Sequence, residues 1–163
     1  MVARKIIQEE PKSILDIGVG FGMAGMIARS YADIWRLRLT PGEWQCQIDG
    51  IEVFPGYLMP HQRFLYNKVL IGDALELLPT LQTYDLVICI DVLEHFLRSD
   101  GERLLGLIAD HGRHYVVTTP KHFFAQTAVH GNLAERHLCE WSISELQMWG
   151  TVTESGPLLR VER

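Results

Sequence analysis

Two kinds of apolar pattern alternate along this chain of 163 residues. Segments typical of β-strands occupy residues 14–17, 45–53, 68–71, 84–90 and 115–119, and all of them except 45–53 are nearly continuous apolar runs. Between the first two, apolar residues recur at the spacing of one helical face over residues 23–35. The run at 84–90 is so apolar that it indicates a central parallel strand covered on both faces. The alternation of strands and helices predicts an α/β sandwich with a mostly parallel sheet.

Turn and capping signals complete the predicted order of elements. Ser99 with Glu102, and Ser142 with Glu145, have the spacing of capping boxes, which predicts a helix start at each pair. Two apolar segments within 151–162, separated by a Ser-Gly-Pro turn, predict an antiparallel hairpin at the sheet edge. The other expectations are an N-terminal arm or short helix (1–12), a helix from 57 or 60 to 66, a brief helical segment ending at 78, an inserted loop (35–46), a polar loop (121–140) and a short helix ending at 149.

Composition limits the class of protein. A hydrophobic fraction of 47% suits one well-buried core, so we expect residues 1–163 to form a single domain. The net charge of −5 provides no global basic field for nucleic acid, and the three cysteines lack the spacing of a zinc knuckle or a disulfide framework. The N-terminus is too polar for a signal peptide, and no apolar run has the ~20 residues of a membrane span. We therefore expect a cytoplasmic protein without a membrane partner.

A glycine-rich turn after the first strand is the clearest ligand-binding signal. Residues 14–22, Ile-Leu-Asp-Ile-Gly-Val-Gly-Phe-Gly, place Gly18, Gly20 and Gly22 after Asp16. Glycines let backbone N–H groups and a helix N-terminus approach a ligand closely. The third glycine comes too early for the dinucleotide fingerprint, and the Asp16 carboxylate would repel a pyrophosphate while attracting an ammonium or a sulfonium. A cationic ligand is therefore favoured over NAD, and no Gly-Lys-Ser/Thr sequence supports a nucleoside triphosphate.

Acidic residues also follow the next three predicted strands. Glu52 ends the second strand, Asp73 follows the third, and Asp91 follows the fourth. Because the carboxyl ends of parallel strands meet at one edge of a sheet, these carboxylates are expected to converge. Each alone could be an ordinary turn former, and Asp49, inside the second strand, is the alternative to Glu52. Together they indicate one ligand site.

In these features the chain resembles the class I S-adenosylmethionine (SAM)-dependent methyltransferases, particularly the small-molecule-like branch with a D-x-L-E-H sequence after the fourth strand. The resemblance implies a Rossmann-like, doubly wound three-layer sandwich whose seven-stranded sheet is mostly parallel and ends in an antiparallel hairpin. It implies that the glycine turn lies against the methionine part of SAM and that Glu52 takes the ribose hydroxyls. Asp73 with Ala74 would contact the adenine, and Asp91 would lie beside the methyl group. The expected cofactor-binding residues are Asp16, Gly18, Gly20, Gly22, Glu52, Val53, Asp73, Ala74 and Asp91.

The resemblance implies methyl transfer to an oxygen or a nitrogen, and we expect a small-molecule acceptor. Such a transfer needs mainly a positioned nucleophile and, where required, a proton acceptor. His95 is the candidate general base because an imidazole ordinarily titrates near neutral pH. In the competing interpretation, Glu94 and His95 only start a helix or contact the next loop. No Asn/Asp-Pro-Pro-aromatic sequence follows Ile90, which argues against the exocyclic amines of DNA bases.

Two alternatives stay open beside the expectation of no metal. The first comes from residues 135–141, which are similar to the segment that supplies a metal-binding histidine in small-RNA 2′-O-methyltransferases. In a metal-assisted RNA methyltransferase, Mg²⁺ or Mn²⁺ would be held by Asp91, Glu94, His95 and His137. The second is a catalytically inactive, cofactor-binding regulatory subunit. The chain is short for the family, so the pocket would be open, suited to a larger substrate, or completed by a partner subunit such as a second copy.

Overall fold

The computed structural model describes residues 1–163 as one seven-stranded sheet with helices on both faces. The strands are β1 Ser13–Ile17, β2 Gln47–Glu52, β3 Lys68–Ile71, β4 Tyr84–Ile90, β5 Gly112–Pro120, β6 Thr151–Ser155 and β7 Leu158–Glu162. The α-helices are α1 Val2–Glu9, α2 Met23–Ala32, α3 Pro60–Leu65, α4 Ala74–Leu77, α5 Arg98–His111 and α6 Ile143–Leu146. Short 3-10 turns fill several connections, among them Ile34–Arg36, Pro41–Glu43, Leu93–His95 and Leu133–Glu135.

The direction in which the sheet is built reverses between β1 and β4. The strand order is β3-β2-β1-β4-β5-β7-β6, in which β1 to β5 run parallel and β7 is antiparallel to both of its neighbours. From β1 the chain continues to β2 on one side, while β4 pairs with β1 on the other. This reversal creates the crevice in which doubly wound sheets bind ligands. The predicted mostly parallel sandwich with a C-terminal hairpin is confirmed.

Two separate cores cover the two faces of the sheet. Val87 and Cys89 of β4 belong to a core of 19 buried residues shared with α5. Leu86 and Ile88 belong to a core of 13 buried residues shared with α1 and α2. None of the four has exposed surface, because β4 is covered by helices on both sides. The absence of charged side chains from residues 86–90 of β4 therefore follows from the three-layer architecture.

Two details of the predicted helices differ in the structure. Helix α5 begins at Arg98 with Leu97 as its N-cap, so the predicted Ser99–Glu102 capping box is wrong: Ser99 already lies inside the helix. The Ser142–Glu145 capping box is present, with the Ser142 N–H donating to Glu145 Oε2 at 2.8 Å. Helix α6 nevertheless ends at residue 146, three residues earlier than expected.

The inserted segment, residues 35–46, is tied to the end of α2 by a buried carboxylate. Asp33 accepts hydrogen bonds from the Gln45 N–H at 2.8 Å and from Arg38 Nε at 2.7 Å, and it also forms an ion pair with the fully buried Arg29. The insertion is thus held at the C-terminal end of α2 before it leads into β2.

None of the helices combines the length and the apolar character that crossing a membrane would require.

Candidate cofactor site and adjacent histidine cluster

A cavity of about 450 Å³ opens at the carboxyl edge of the sheet. Its wall is formed by the segments that follow β1, β2, β3 and β4, together with the start of α5 and the 3-10 turn Leu133–Glu135. It therefore lies at the reversal of strand order, where the topology predicts a ligand. The predicted site residues that line it are Gly18, Gly20, Glu52, Val53, Asp73, Ala74, Asp91 and His95.

The glycine turn has a backbone that only glycine adopts without strain. Gly18 has φ +76°, and a Cβ at this position would lie 2.3 Å from Val92 Cγ2. Gly20 has φ +51° with no atom within 4 Å of a built Cβ, so there the backbone conformation and not the packing requires glycine. Gly22, the N-cap of α2, does not line the cavity. The turn holds main-chain atoms of Gly18 and Gly20 against the cavity.

Asp16 is buried behind the turn and does not line the cavity. It is 1% exposed and accepts a hydrogen bond from the Tyr66 hydroxyl. Burial raises the pKa of Asp16 to about 7, the Tyr66 hydrogen bond opposes this, and the nearby Glu52 charge adds to it. The expectation of a carboxylate standing directly beside the ligand is therefore corrected: Asp16 can act on a ligand only through its field and through the turn it supports.

Glu52 is held at the end of β2 by two backbone donors. Its Oε2 accepts from the Gly20 N–H at 2.7 Å, and its Oε1 accepts from the Phe54 N–H at 2.7 Å. Each carboxylate oxygen retains a lone pair for a further donor. The alternative residue, Asp49, is buried inside the sheet, where it accepts from the Tyr84 hydroxyl at 2.7 Å, and it does not line the cavity. Of the two, only Glu52 can reach a ligand there.

Asp73 combines a structural contact with its place on the cavity wall. Its Oδ1 caps the N-terminus of α4 by accepting from the Leu75 N–H at 2.8 Å. Ala74, the first residue of α4, is buried and also lines the cavity. The cap alone would explain an aspartate here, so the contact that bears on function is the position of the Asp73–Ala74 backbone beside the cavity.

Asp91 directly follows β4 and has a strained backbone conformation. Its φ is +53°, in the left-handed region that residues other than glycine rarely adopt, although aspartate tolerates it better than most. The buried Thr118 hydroxyl on β5 donates to Asp91 Oδ1 at 2.7 Å and accepts from the Asp91 N–H at 3.1 Å. Thr118 thus fixes both the backbone and the carboxylate of Asp91 at the cavity.

His95 lies on the cavity wall at the end of the 3-10 turn Leu93–His95. Its Nδ1 is 3.2 Å from the Arg136 carbonyl oxygen, and its Nε2 is 3.9 Å from Glu135 Oε2. A carbonyl can only accept, so the Nδ1 carries the proton that it donates and the Nε2 of the neutral ring is left as an acceptor. Burial lowers the pKa of His95. The hydrogen bond to the Arg136 carbonyl and the negative charge of Glu135 partly oppose this. These properties suit a proton acceptor.

The Glu94 carboxylate is buried beside His95. It is 3% exposed, and its Oε2 has no hydrogen-bond partner. Burial, together with the charge of Asp91, raises the pKa of Glu94 to about 8. The Glu94 backbone carbonyl accepts from the N–H groups of Leu138 and Cys139 at 2.8 and 3.2 Å, which fastens the 121–140 loop to this turn.

The loop brings His137 to Glu94 and His95. One possible ligand atom from each of these three residues lies within 4.8 Å of the others, and the rings of the two histidines are 5.1 Å apart. Asp91 is not part of this group, so the proposed four-residue metal set is corrected to three. Ligand atoms around a divalent ion with bonds of ~2.1 Å lie roughly 3–4 Å apart. The unpartnered Glu94 oxygen has a lone pair free for such an ion.

Part of the cavity wall comes from residues that the sequence did not assign to the site, although Glu135 and Leu138 lie in the marked segment 135–141. The unassigned residues are Phe96, Leu97 and Asp100 at the start of α5, and Asn132, Ala134, Glu135 and Leu138 in the loop after β5. The loop residues reach the cavity through contacts that are remote in sequence. For Asp100, the position in the first turn of a helix that starts at the cavity would have been a usable signal.

No protein-family model and no curated protein sequence matches the chain. Solved structures do match in fold. One is the N-terminal domain of EvdMO1, crystallised in the presence of S-adenosylhomocysteine (SAH) and D-fucose. Its TM-score is 0.64 at 17% sequence identity, and the match covers 98% of this chain and 78% of that chain. The methyltransferase domain of bacterial CtHen1 has a TM-score of 0.58 at 19% identity, and the match covers 99% of this chain and 94% of that domain.

A putative O-methyltransferase from Nostoc punctiforme has a TM-score of 0.67 at 17% identity, with 99% of this chain covered. The chain spans 54% of that protein and 60% of TehB from Haemophilus influenzae, another structure of similar fold. The chain therefore shares the Rossmann-like α/β fold of these solved structures over essentially its whole length.

Proposed function

We propose that this protein transfers a methyl group from SAM to an oxygen or nitrogen atom of a small-molecule acceptor. The observation that carries the proposal is the joint placement of Gly18, Gly20, Glu52, Asp73 and Asp91 on one cavity at the reversal of strand order. The shared fold supports it, as does the presence of SAH during crystallisation of the EvdMO1 domain.

The residues on the wall suit the parts of SAM in the order that the resemblance implies. The N–H groups and Cα atoms of the glycine turn would face the methionine part, and Glu52 has lone pairs free for the ribose hydroxyls. The Asp73–Ala74 backbone, with Val53, would border the adenine. Asp91, whose Oδ1 is already fixed by Thr118, would present its other oxygen to the ammonium group.

Catalysis would depend mainly on position. When bound, SAM would supply a methyl carbon attached to a positively charged sulfur, and that sulfur would keep the electron pair of the C–S bond as the substrate's nucleophile bonds to the carbon. The cavity orients the acceptor for this in-line approach. His95 Nε2 would accept the proton that the nucleophile must lose. The hydrogen bond from Nδ1 to the Arg136 carbonyl keeps the ring proton on Nδ1 and leaves Nε2 free.

Calorimetric titration with SAM, SAH and NAD tests the proposal. We expect SAM and SAH to bind and NAD not to bind. Glu52→Gln should weaken SAH binding about tenfold or more, since it replaces a charge-assisted acceptor. Glu76→Gln on the exposed surface of α4 is the matched control and should leave binding unchanged. Tight NAD binding without a response to SAM or SAH would overturn the proposal, whereas SAH binding without turnover on any acceptor would favour a regulatory subunit.

A second candidate function is metal-assisted 2′-O-methylation of RNA. The observation that favours it is the convergence of Glu94, His95 and His137. A carboxylate and two imidazoles can hold Mg²⁺ or Mn²⁺, which would polarise an acceptor hydroxyl. The test is methyl transfer to a short RNA before and after exhaustive chelation. Activity on RNA that EDTA removes and Mn²⁺ restores would support this function, and chelation-resistant activity would end it.

The remaining expectations also stand as proposals. Residues 1–163 would act as a single domain in the cytoplasm, either alone or as a homodimer. Limited proteolysis, cell fractionation and analytical ultracentrifugation test these three statements in turn.

A further inference from the structure

We propose that the methyl acceptor carries a positively charged group, such as an ammonium, which is held by Asp100 and Glu135 beside the transferred methyl group. This inference rests on the proposed function, because it concerns the second substrate of the same cavity. It names the chemical class of that substrate, a small organic cation, which the fold alone does not indicate.

The charge of the cavity wall carries the inference. Five carboxylate side chains line the cavity, and no lysine or arginine does: Glu52, Asp73, Asp91, Asp100 and Glu135. In a partly enclosed site of this kind, charges interact more strongly than in water. An acceptor with a phosphate or a carboxylate would enter against this field, whereas a cationic acceptor would be attracted by it.

Two of these carboxylates are not needed for the cofactor. Glu52, Asp73 and Asp91 follow the strands and match the cofactor positions. Asp100, in the first turn of α5, and Glu135, in the loop after β5, both line the cavity, and Glu135 Oε2 lies 3.9 Å from His95 Nε2. They are the charges available to a second molecule.

Neither of the two is neutralised by a cationic partner. Arg98, two residues from Asp100, pairs with Glu145 at 3.0 Å instead. Near the Glu135 carboxylate lie the Gln126 amide at 3.5 Å, His95 Nε2 at 3.9 Å and the Tyr57 hydroxyl, none of which carries a permanent charge. Half-buried carboxylates without a partner are costly unless a ligand or water compensates them.

A further polar group without a partner lies at the same end of the cavity. Glu94 is almost completely buried, its Oε2 forms no hydrogen bond, and its carboxylate lies within 4.8 Å of a ring nitrogen of His95, which lines the cavity. Glu94 does not itself line the cavity, so this acceptor lies behind the wall, next to His95. Phe96 adds an aromatic ring to this part of the wall, and aromatic rings attract organic cations.

The test measures charge preference on the SAH-loaded protein with matched fragments. The probes are benzylamine, benzyl alcohol and benzoate, with the corresponding phenethyl and butyl compounds, each titrated by NMR. We expect the amines to bind at least about tenfold more tightly than the alcohols, and the carboxylates to bind weakest. Asp100→Asn and Glu135→Gln should each remove most of that preference while the affinity for SAH stays the same. Glu102→Gln, an equal charge change at an exposed position of α5, should preserve it.

Each outcome decides a separate point. If SAH does not bind, the proposed function fails, and this inference fails with it. If SAH binds but alcohols or carboxylates bind as well as the amines, or no amine binds, only the inference on the acceptor is wrong. It is also wrong if Asp100→Asn and Glu135→Gln weaken the binding of SAH as much as the binding of the amines. The two carboxylates would then contribute to cofactor binding. Tight binding of an RNA oligonucleotide to the SAH complex would favour the metal-assisted function instead.

Discussion

The two halves of the cavity wall are built in different ways. On the half formed by β1 to β4, functional residues are fixed by hydrogen bonds at a strand end, such as Glu52 by the Gly20 and Phe54 N–H groups. On the other half, Glu135 and His137 belong to a loop that is fastened through the Glu94 carbonyl. The strand-end half is therefore the rigid half that would bind a cofactor, and the loop half can vary with the acceptor.

The largest expected effect comes from the strand-end half. Gly18→Ala should lower the free energy of unfolding by about 2–5 kcal/mol and abolish SAH binding, because it adds left-handed strain and a clash with Val92. Gly131→Ala is the matched change in the loop half, since Gly131 has φ +80° but no atom within 4 Å of a built Cβ. It should cost only about 1 kcal/mol. Urea unfolding of both variants measures these changes. An equal loss of unfolding free energy in the two variants would contradict the difference between the two halves.

The buried Asp16 predicts a pH dependence of stability. Its pKa rises from 3.8 in the unfolded chain to about 7 in the folded protein, so between these values the folded state holds a proton that the unfolded state has released. The free energy of unfolding should therefore fall as pH rises through this window. Asp16→Asn should remove a decline of about 1–3 kcal/mol.

Urea unfolding between pH 4 and 8 measures this decline. Any decline in the free energy of unfolding that persists in Asp16→Asn should disappear in the double variant Asp16→Asn/Glu94→Gln. The reason is that the pKa of Glu94 is also raised, to about 8. An unchanged pH profile in Asp16→Asn would contradict the placement of Asp16 behind the turn as a buried, titrating group.

Two adjacent threonines on β5 test how Asp91 is held. Thr118→Val removes both hydrogen bonds to Asp91 and should weaken SAH binding by about 1–2 kcal/mol, whereas Thr118→Ser should retain most of it. Thr119 is equally buried, but its hydroxyl has no hydrogen-bond partner, so Thr119→Val should leave SAH binding unchanged. Calorimetry compares the three variants. Equal weakening by both valine variants would show that strand packing, and not the contact with Asp91, is responsible.

The smallest effect on the cofactor is expected from His137. His137→Ala should change SAH affinity and stability by no more than about 0.5 kcal/mol, because the residue is half-buried in the loop. If the histidine cluster holds a metal, the same change should abolish Mn²⁺ binding measured by electron paramagnetic resonance. His114→Ala, at the opposite edge of the sheet beside Glu9, is the control that should preserve Mn²⁺ binding. Identical Mn²⁺ binding in both variants would exclude the cluster as the metal site.

The difference between the halves also explains how much the sequence predicts. The positions of Glu52, Asp73 and Asp91 follow from the strand pattern, because the carboxyl ends of parallel strands all lie at the same edge of the sheet. The wall formed by Asp100 and Glu135 was missed as a site, since it depends on where α5 starts and on how a 20-residue polar loop (121–140) folds back. The misplaced start of α5 has the same origin: the capping signal at Ser99 is overridden by a helix that begins at Arg98.

Asp16 shows a different limit of the sequence. Its motif position was identified, but its burial depends on Tyr66, which reaches it from 50 residues away. Sequence spacing fixes the strand on which Asp16 lies, and only the packing of the whole core decides that its carboxylate stays behind the turn.

An NMR titration of the labelled protein with SAH tests the central claim most directly. The account predicts that the largest amide shifts occur at Gly18, Gly20, Glu52, Ala74 and Asp91, with the Gly20 N–H affected most because Glu52 would share its carboxylate with the ribose. Amides at the opposite edge of the sheet, such as those of Lys12 and Gln47, should not move. Saturation with SAH that leaves the strand-end amides unshifted would contradict the assignment of this cavity.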